Sequence, residues 1–196
     1  MSLIGKITYY FITALFIFSG CKTGGQDYSD SDWKVRGGNK AQERYSELTQ
    51  IDTSNVSELE VAWTYNTGDM DGGSSEMQTN PLIIDGTLFG VSPKLKVFAL
   101  DAASGEEKWK FDPFARAEST PSFHRNRGVT YWEGGDDSRI LFTAGSCLYA
   151  LDTKTGQPIE NFGEGGKTSL KKGLSEQFKA FYVIATSPGI IYNDLI

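Results

Sequence analysis

The chain has 196 residues, enough to bury a sizeable core, and a formal net charge of −6. That acidic balance speaks against nucleic-acid binding, and one histidine with two cysteines excludes a Cys/His zinc site. With 22 glycines, 13% aromatics and no long helix-forming run, the composition points to an all-β protein rich in turns.

Residues 1–21 read as a targeting segment. Met1–Lys6 is short and carries one lysine, and Ile7–Phe18 is almost wholly apolar. That run falls short of the roughly 20 residues a membrane-spanning helix needs, so a signal peptide is the better reading. Ser19-Gly20-Cys21 resembles the lipobox of bacterial lipoproteins. The resemblance implies cleavage before Cys21 and lipidation of its thiol, which would anchor the protein on the periplasmic side of a bacterial membrane. The competing reading is a plain secretory signal with an incidental cysteine. Residues 22–32 are polar and rich in Gly, Ser and Asp, as in a flexible tether. Cys147 is then left without a disulfide partner and reads as a small buried residue in the strand pattern Ile140–Leu151.

The folded part begins at Trp33. Trp33–Gln50 has no sustained period and reads as an irregular docking segment. Asn55 followed by Glu58 predicts a short capped helix over Val56–Leu59. Glu60–Thr67 alternates, with Val61, Trp63 and Tyr65 on one face, and predicts a strand. Pro81–Val91 predicts a hairpin turning at Asp85-Gly86. Val97–Trp109 predicts a second, with Asp101 bonding the backbone ahead of it and Gly105 closing the turn. Ala99, Leu100, Asp101 and Gly105 recur in the same spacing as Ala150, Leu151, Asp152 and Gly156. A hairpin repeated at about 50 residues is the signature of a four-stranded propeller blade.

The second blade is predicted over Arg127–Trp132 and Arg139–Leu151, with Gly134–Asp137 as the turn between. Pro158–Phe162 stands where its outer strand is expected, without the tryptophan of the first blade. Leu170–Ala180 reads as a surface loop or helical turn. Pro188–Ile196 repeats the Pro81 hairpin and opens a third blade. The chain stops inside that hairpin, so the sequence is expected to be the N-terminal part of a longer protein. The Trp63 strand is then an outer strand that closes the ring on the last blade.

Taken in order, several stretches resemble the quinoprotein dehydrogenases that use pyrroloquinoline quinone, most closely the glucose dehydrogenase branch. They are Asp32-Trp33, Gly37-Gly38, Arg44-Tyr45-Ser46, Val61-Ala62-Trp63, Gln78–Leu82, the Asp101 hairpin with Trp109, and Asn126–Trp132. The resemblance implies an eight-bladed β-propeller with the quinone on its axis and blades clasped by tryptophans such as Trp63 and Trp109. Residues 33–196 would supply the first two blades, the start of a third and the closing outer strand.

The resemblance also implies site residues. Gln78, before the first inner strand, would touch the quinone. Arg127, opening the second inner strand, would grip one of its three carboxylates in a fork. His124 and Thr186 would be further quinone contacts, His124 being read equally well as an incidental loop histidine. Alcohol-oxidising relatives carry adjacent cysteines where this chain has Pro121-Ser122-Phe123, which favours a sugar substrate. The Ca²⁺ ligands and catalytic base are expected beyond Ile196, which would leave this stretch inactive by itself. The implied function is oxidation of glucose or another aldose, with electrons passing to ubiquinone or a cytochrome. The alternative is a non-enzymatic β-propeller lipoprotein scaffold of the outer-membrane assembly type.

Overall fold

The structure is a computed structural model that describes residues 32–70, 76–117 and 125–196. Two four-stranded antiparallel sheets carry the fold, in the strand orders β1-β2-β3-β4 and β5-β6-β7-β8. The first comprises β1 (Leu82–Ile84), β2 (Thr87–Val91), β3 (Val97–Asp101) and β4 (Glu107–Phe111). The second comprises β5 (Thr130–Gly134), β6 (Asp137–Ala144), β7 (Cys147–Asp152) and β8 (Lys167–Ser169). Each strand pairs with its sequence neighbour, as in a propeller blade.

The turns follow from their residues. Asp85 and Gly86 both take positive φ (47° and 68°), the geometry that joins two strands through two residues. At the β3–β4 turn the Asp101 carboxylate accepts the N–H groups of Ala103 (3.1 Å) and Ser104 (3.0 Å), and Gly105 N–H donates to the Asp101 carbonyl. The β7 turn repeats this with Asp152, Lys154, Thr155 and Gly156.

One core runs between the two sheets. Leu82, Phe89, Val91, Val97 and Ala99 of the first blade meet Val129, Ile140, Phe142, Tyr149 and Leu151 of the second. Each large side chain so buried contributes about 1.5–3 kcal/mol. The blades are also clasped in sequence. Trp63 Nε1 donates to the Ala102 carbonyl (3.2 Å), and its indole lies over Gly105. Trp109 repeats the contact one blade on, with Nε1 donating to Thr153 O (2.9 Å) and the indole over Gly156.

Several expectations need correction. Glu60–Thr67 joins no ladder among the described residues. Trp63 and Tyr65 pack on the first blade, with Tyr65 against Phe98 at 5.0 Å, but Val61 is 83% exposed and does not share their face. A 3-10 turn forms at Val56–Glu58 without a side-chain cap, because the Asn55 side-chain oxygen accepts the Asp52 N–H instead. The Ile140–Leu151 pattern is two strands, broken by a turn at residues 145–146.

The outer strand of the second blade is also displaced. Only Pro158 of Pro158–Phe162 bridges β7, at Leu151, and the regular pairing comes later, at Lys167–Ser169. Ala150 shows why: its carbonyl takes the Ile159 N–H and its own N–H donates to Gly166 O. The two pieces complete the edge of β7 together, with a glycine-rich loop between them.

The Trp33 segment docks on the free edge of β1 through a single antiparallel bridge, exchanging both backbone bonds with Ile83 (2.7 and 3.2 Å). Asp32 already belongs to the fold, since its side chain accepts the Asp85 N–H at 3.0 Å. The signal segment, Cys21 and residues 22–31 lie outside the described residues. Among the described residues no helix is long and apolar enough to cross a membrane.

Candidate functional site

The leading ends of three successive inner segments are bonded to one another in a row. Asn80, just before β1, donates its N–H to Arg127 O at 2.9 Å, and its side-chain amide donates to the same oxygen at 3.1 Å. Arg127 in turn donates its N–H to Thr186 O at 2.9 Å. Asn80 and Gly128 form a parallel bridge, so the two blades enter side by side in the same sense. A glycine is required at 128. A Cβ there would stand 2.7 Å from Asn80 O, and the residue has φ +131°.

Arg127 is half-buried in this row and does not point away from it. Its Nη1 donates to Thr186 Oγ1 at 3.0 Å. Among the described residues no other group takes its remaining N–H donors. Arg127 precedes β5 rather than opening it, because the strand starts at Thr130. The neighbouring Asn126 is 5% exposed; its amide donates to Thr143 O (2.9 Å) and its oxygen accepts the Gly128 N–H (2.7 Å). Thr143 Oγ1 donates to Ala185 O at 2.6 Å.

The structure therefore brings Arg127 and Thr186 together. Gln78 lies two residues before Asn80, but its side-chain amide donates to Glu76 Oε2 at 2.6 Å, and it makes no bond to Arg127 or Thr186. His124 lies outside the described residues. The sequence reading missed Asn80, Asn126 and Thr143. Asn126 was visible as the first residue of Asn-Arg-Gly. Thr143 left no signal, because it sits on β6 and reaches the row only through the antiparallel pairing of β5 with β6.

A family model described as PQQ: glucose/ethanol/alcohol dehydrogenase, beta-propeller domain, matches residues 33–196. The chain belongs to this family. It is 31% identical over 191 residues to quinoprotein glucose dehydrogenase A of Acinetobacter calcoaceticus, covering 86% of this chain and 24% of that protein. It is 30% identical over 184 residues to the quinoprotein glucose dehydrogenase of Escherichia coli, covering 86% of this chain and 23% of that one. A crystal structure of quinohemoprotein alcohol dehydrogenase from Comamonas testosteroni superposes with a TM-score of 0.64 at 26% identity, over 83% of this chain and 22% of that one. The chain thus spans about a quarter of the length of the curated relatives it matches.

The row at Arg127 has the donor chemistry that a carboxylate-bearing cofactor would need. A planar guanidinium held by one nitrogen keeps further N–H donors for a carboxylate, and the Thr186 hydroxyl, which accepts from Arg127, keeps its own proton to donate. Among the described residues no group of three His, Cys, Asp or Glu side chains could hold a metal ion.

A separate cleft of about 770 Å³ opens between the Trp33 segment, β5 and residues 187–194, lined by Lys34, Tyr131, Trp132, Glu133, Pro188 and Ile190 among others. Neither Arg127 nor Gln78 lines it. Lys34 bridges Asp32 (3.7 Å) and Glu133 (3.6 Å) at its edge. Tyr131 donates to Glu133 at 2.7 Å; burial first, then this carboxylate, pushes its phenol well above the usual range. Of these contacts, the Lys34–Glu133 pair ties the segment to the second blade.

Proposed function

We propose that this chain is the N-terminal part of a quinoprotein dehydrogenase that oxidises glucose or another aldose with pyrroloquinoline quinone. The observation that carries the reading is Arg127, held by Thr186 at the bonded ends of three inner segments with donors to spare. When bound, the quinone supplies the electron-pair acceptor. Arg127 and Thr186 would hold it, their charge-assisted donors binding and orienting one carboxylate. Gln78 and His124 are proposed as further contacts. Ca²⁺, with a catalytic base, would come from the remainder of a protein as long as the relatives. Electrons would pass to ubiquinone or a cytochrome.

A sugar is favoured over an alcohol because Pro121-Ser122-Phe123 lacks the adjacent cysteines of alcohol-oxidising relatives. A scaffold would need the clasped blades, but it would have no use for a guanidinium offered to an anion. The Cys21 anchor would place the protein on the periplasmic side of a membrane.

The test is reconstitution of the full-length protein containing this stretch with the quinone and Ca²⁺, followed by dye reduction with glucose, other aldoses, glycerol and ethanol. We expect quinone-dependent reduction with an aldose, at least tenfold lower at subsaturating quinone in Arg127→Ala. No reduction with any sugar or alcohol would overturn the reading.

A further inference from the structure

Thr186 is a weak place to hang a guanidinium unless something holds it. Residues 182–191 contain no regular strand, so their backbone is not fixed by a ladder. Each residue left free retains about 1–2 kcal/mol of conformational entropy. Besides the Arg127 Nη1 bond to Thr186 Oγ1, three bonds hold this segment to the second blade: Arg127 N–H to Thr186 O, Thr143 Oγ1 to Ala185 O, and Thr130 Oγ1 to Gly189 O. The first two fall on adjacent carbonyls, the pair that places the Thr186 hydroxyl.

These bonds form a closed circuit. Arg127 Nη1 leans on Thr186 Oγ1, and the peptide before Thr186 hangs on Thr143 Oγ1. The carbonyl of Thr143 is taken by Asn126, the residue next to Arg127. Asn126 is buried, and its oxygen is also committed, to the Gly128 N–H, so it has little freedom to give. We propose that Thr143, seated by Asn126, is a positioning residue that aims the Arg127 guanidinium at its anion through the Ala185-Thr186 peptide. This rests on the reading that Arg127 grips a quinone carboxylate.

A double-mutant cycle on the full-length, quinone-free protein tests it, with pyrroloquinoline quinone affinity read by isothermal titration calorimetry. Thr143→Val keeps the shape and removes the donor. It should weaken binding about five- to tenfold, the loss expected for one hydrogen bond. Thr143→Ser should restore affinity to within about twofold. In an Arg127→Ala background, Thr143→Val should have less than about a twofold effect, because the group it aims is gone.

Equal losses in both backgrounds would show a merely structural role and overturn the proposal. So would an unchanged affinity in Thr143→Val while Arg127→Ala loses tenfold or more. If Arg127→Ala itself binds as wild type, the carboxylate reading falls, and this inference with it. Should Thr143→Val not fold, Thr143→Ala takes its place in the same cycle.

Discussion

Tyr149 lies with its ring stacked on Phe142 at 5.1 Å and 6.0 Å from Phe111, and burial pushes its phenol up to about 12. An unfolded tyrosine ionises near pH 10, so the unfolded chain loses this proton first as pH rises. The stabilisation is complete below pH 10 and is lost between pH 10 and about 12. The thermal midpoint of the wild type should therefore fall more steeply over that window than that of Tyr149→Phe. Equal slopes would mean the phenol ionises freely in the fold. Asp101 behaves in the opposite sense: the backbone N–H of Ser104, then its hydroxyl, hold its carboxyl below the usual range. The Asp101 bonds are legible in the turn spacing, four residues ahead of Gly105. The direction of a side chain is not. Gln78 turns to Glu76, while Arg127 finds Thr186 some sixty positions along the chain, and neither choice is encoded locally.

The strands and turns of the first blade were legible because their signals are local: an apolar alternation, a two-residue turn, an aspartate four residues ahead of a glycine. Two of the errors fell where a strand depends on a distant partner. Glu60–Thr67 has the pattern of a strand but no ladder among the described residues, and β8 was displaced by a loop that only the edge of β7 selects. The clasp between blades yields a sharp prediction. A Cβ at Gly156 would stand 2.5 Å from the Trp109 indole, at φ +69°, whereas one at Gly86 would meet nothing within 4 Å at φ +68°. Gly86→Ala should cost only the backbone strain, about 1–2 kcal/mol. Gly156→Ala adds displacement of the indole, about 1–3 kcal/mol more. Urea unfolding of the two variants checks this, and equal losses would deny the clasp.

At the scale of the whole molecule, the proposed lipid anchor would join a propeller to a membrane through a polar tether. If Cys21 is lipidated, Cys21→Ser in the full-length protein should move most of it from the membrane to the soluble fraction. Unchanged fractionation would leave a plain secretory signal as the better account. What residue order alone determined is the repeat: the Asp-to-Gly hairpins recur at one spacing, and sterics and turn chemistry act within a few residues, so blades could be counted before any coordinates. The tertiary structure alone decided how the blades meet. Asn80, Arg127 and Thr186 come from segments far apart in the chain and share carbonyls only once the blades stand side by side. Hydrogen bonds act over about 3 Å, and no pattern along the chain reveals which distant atoms will close that distance.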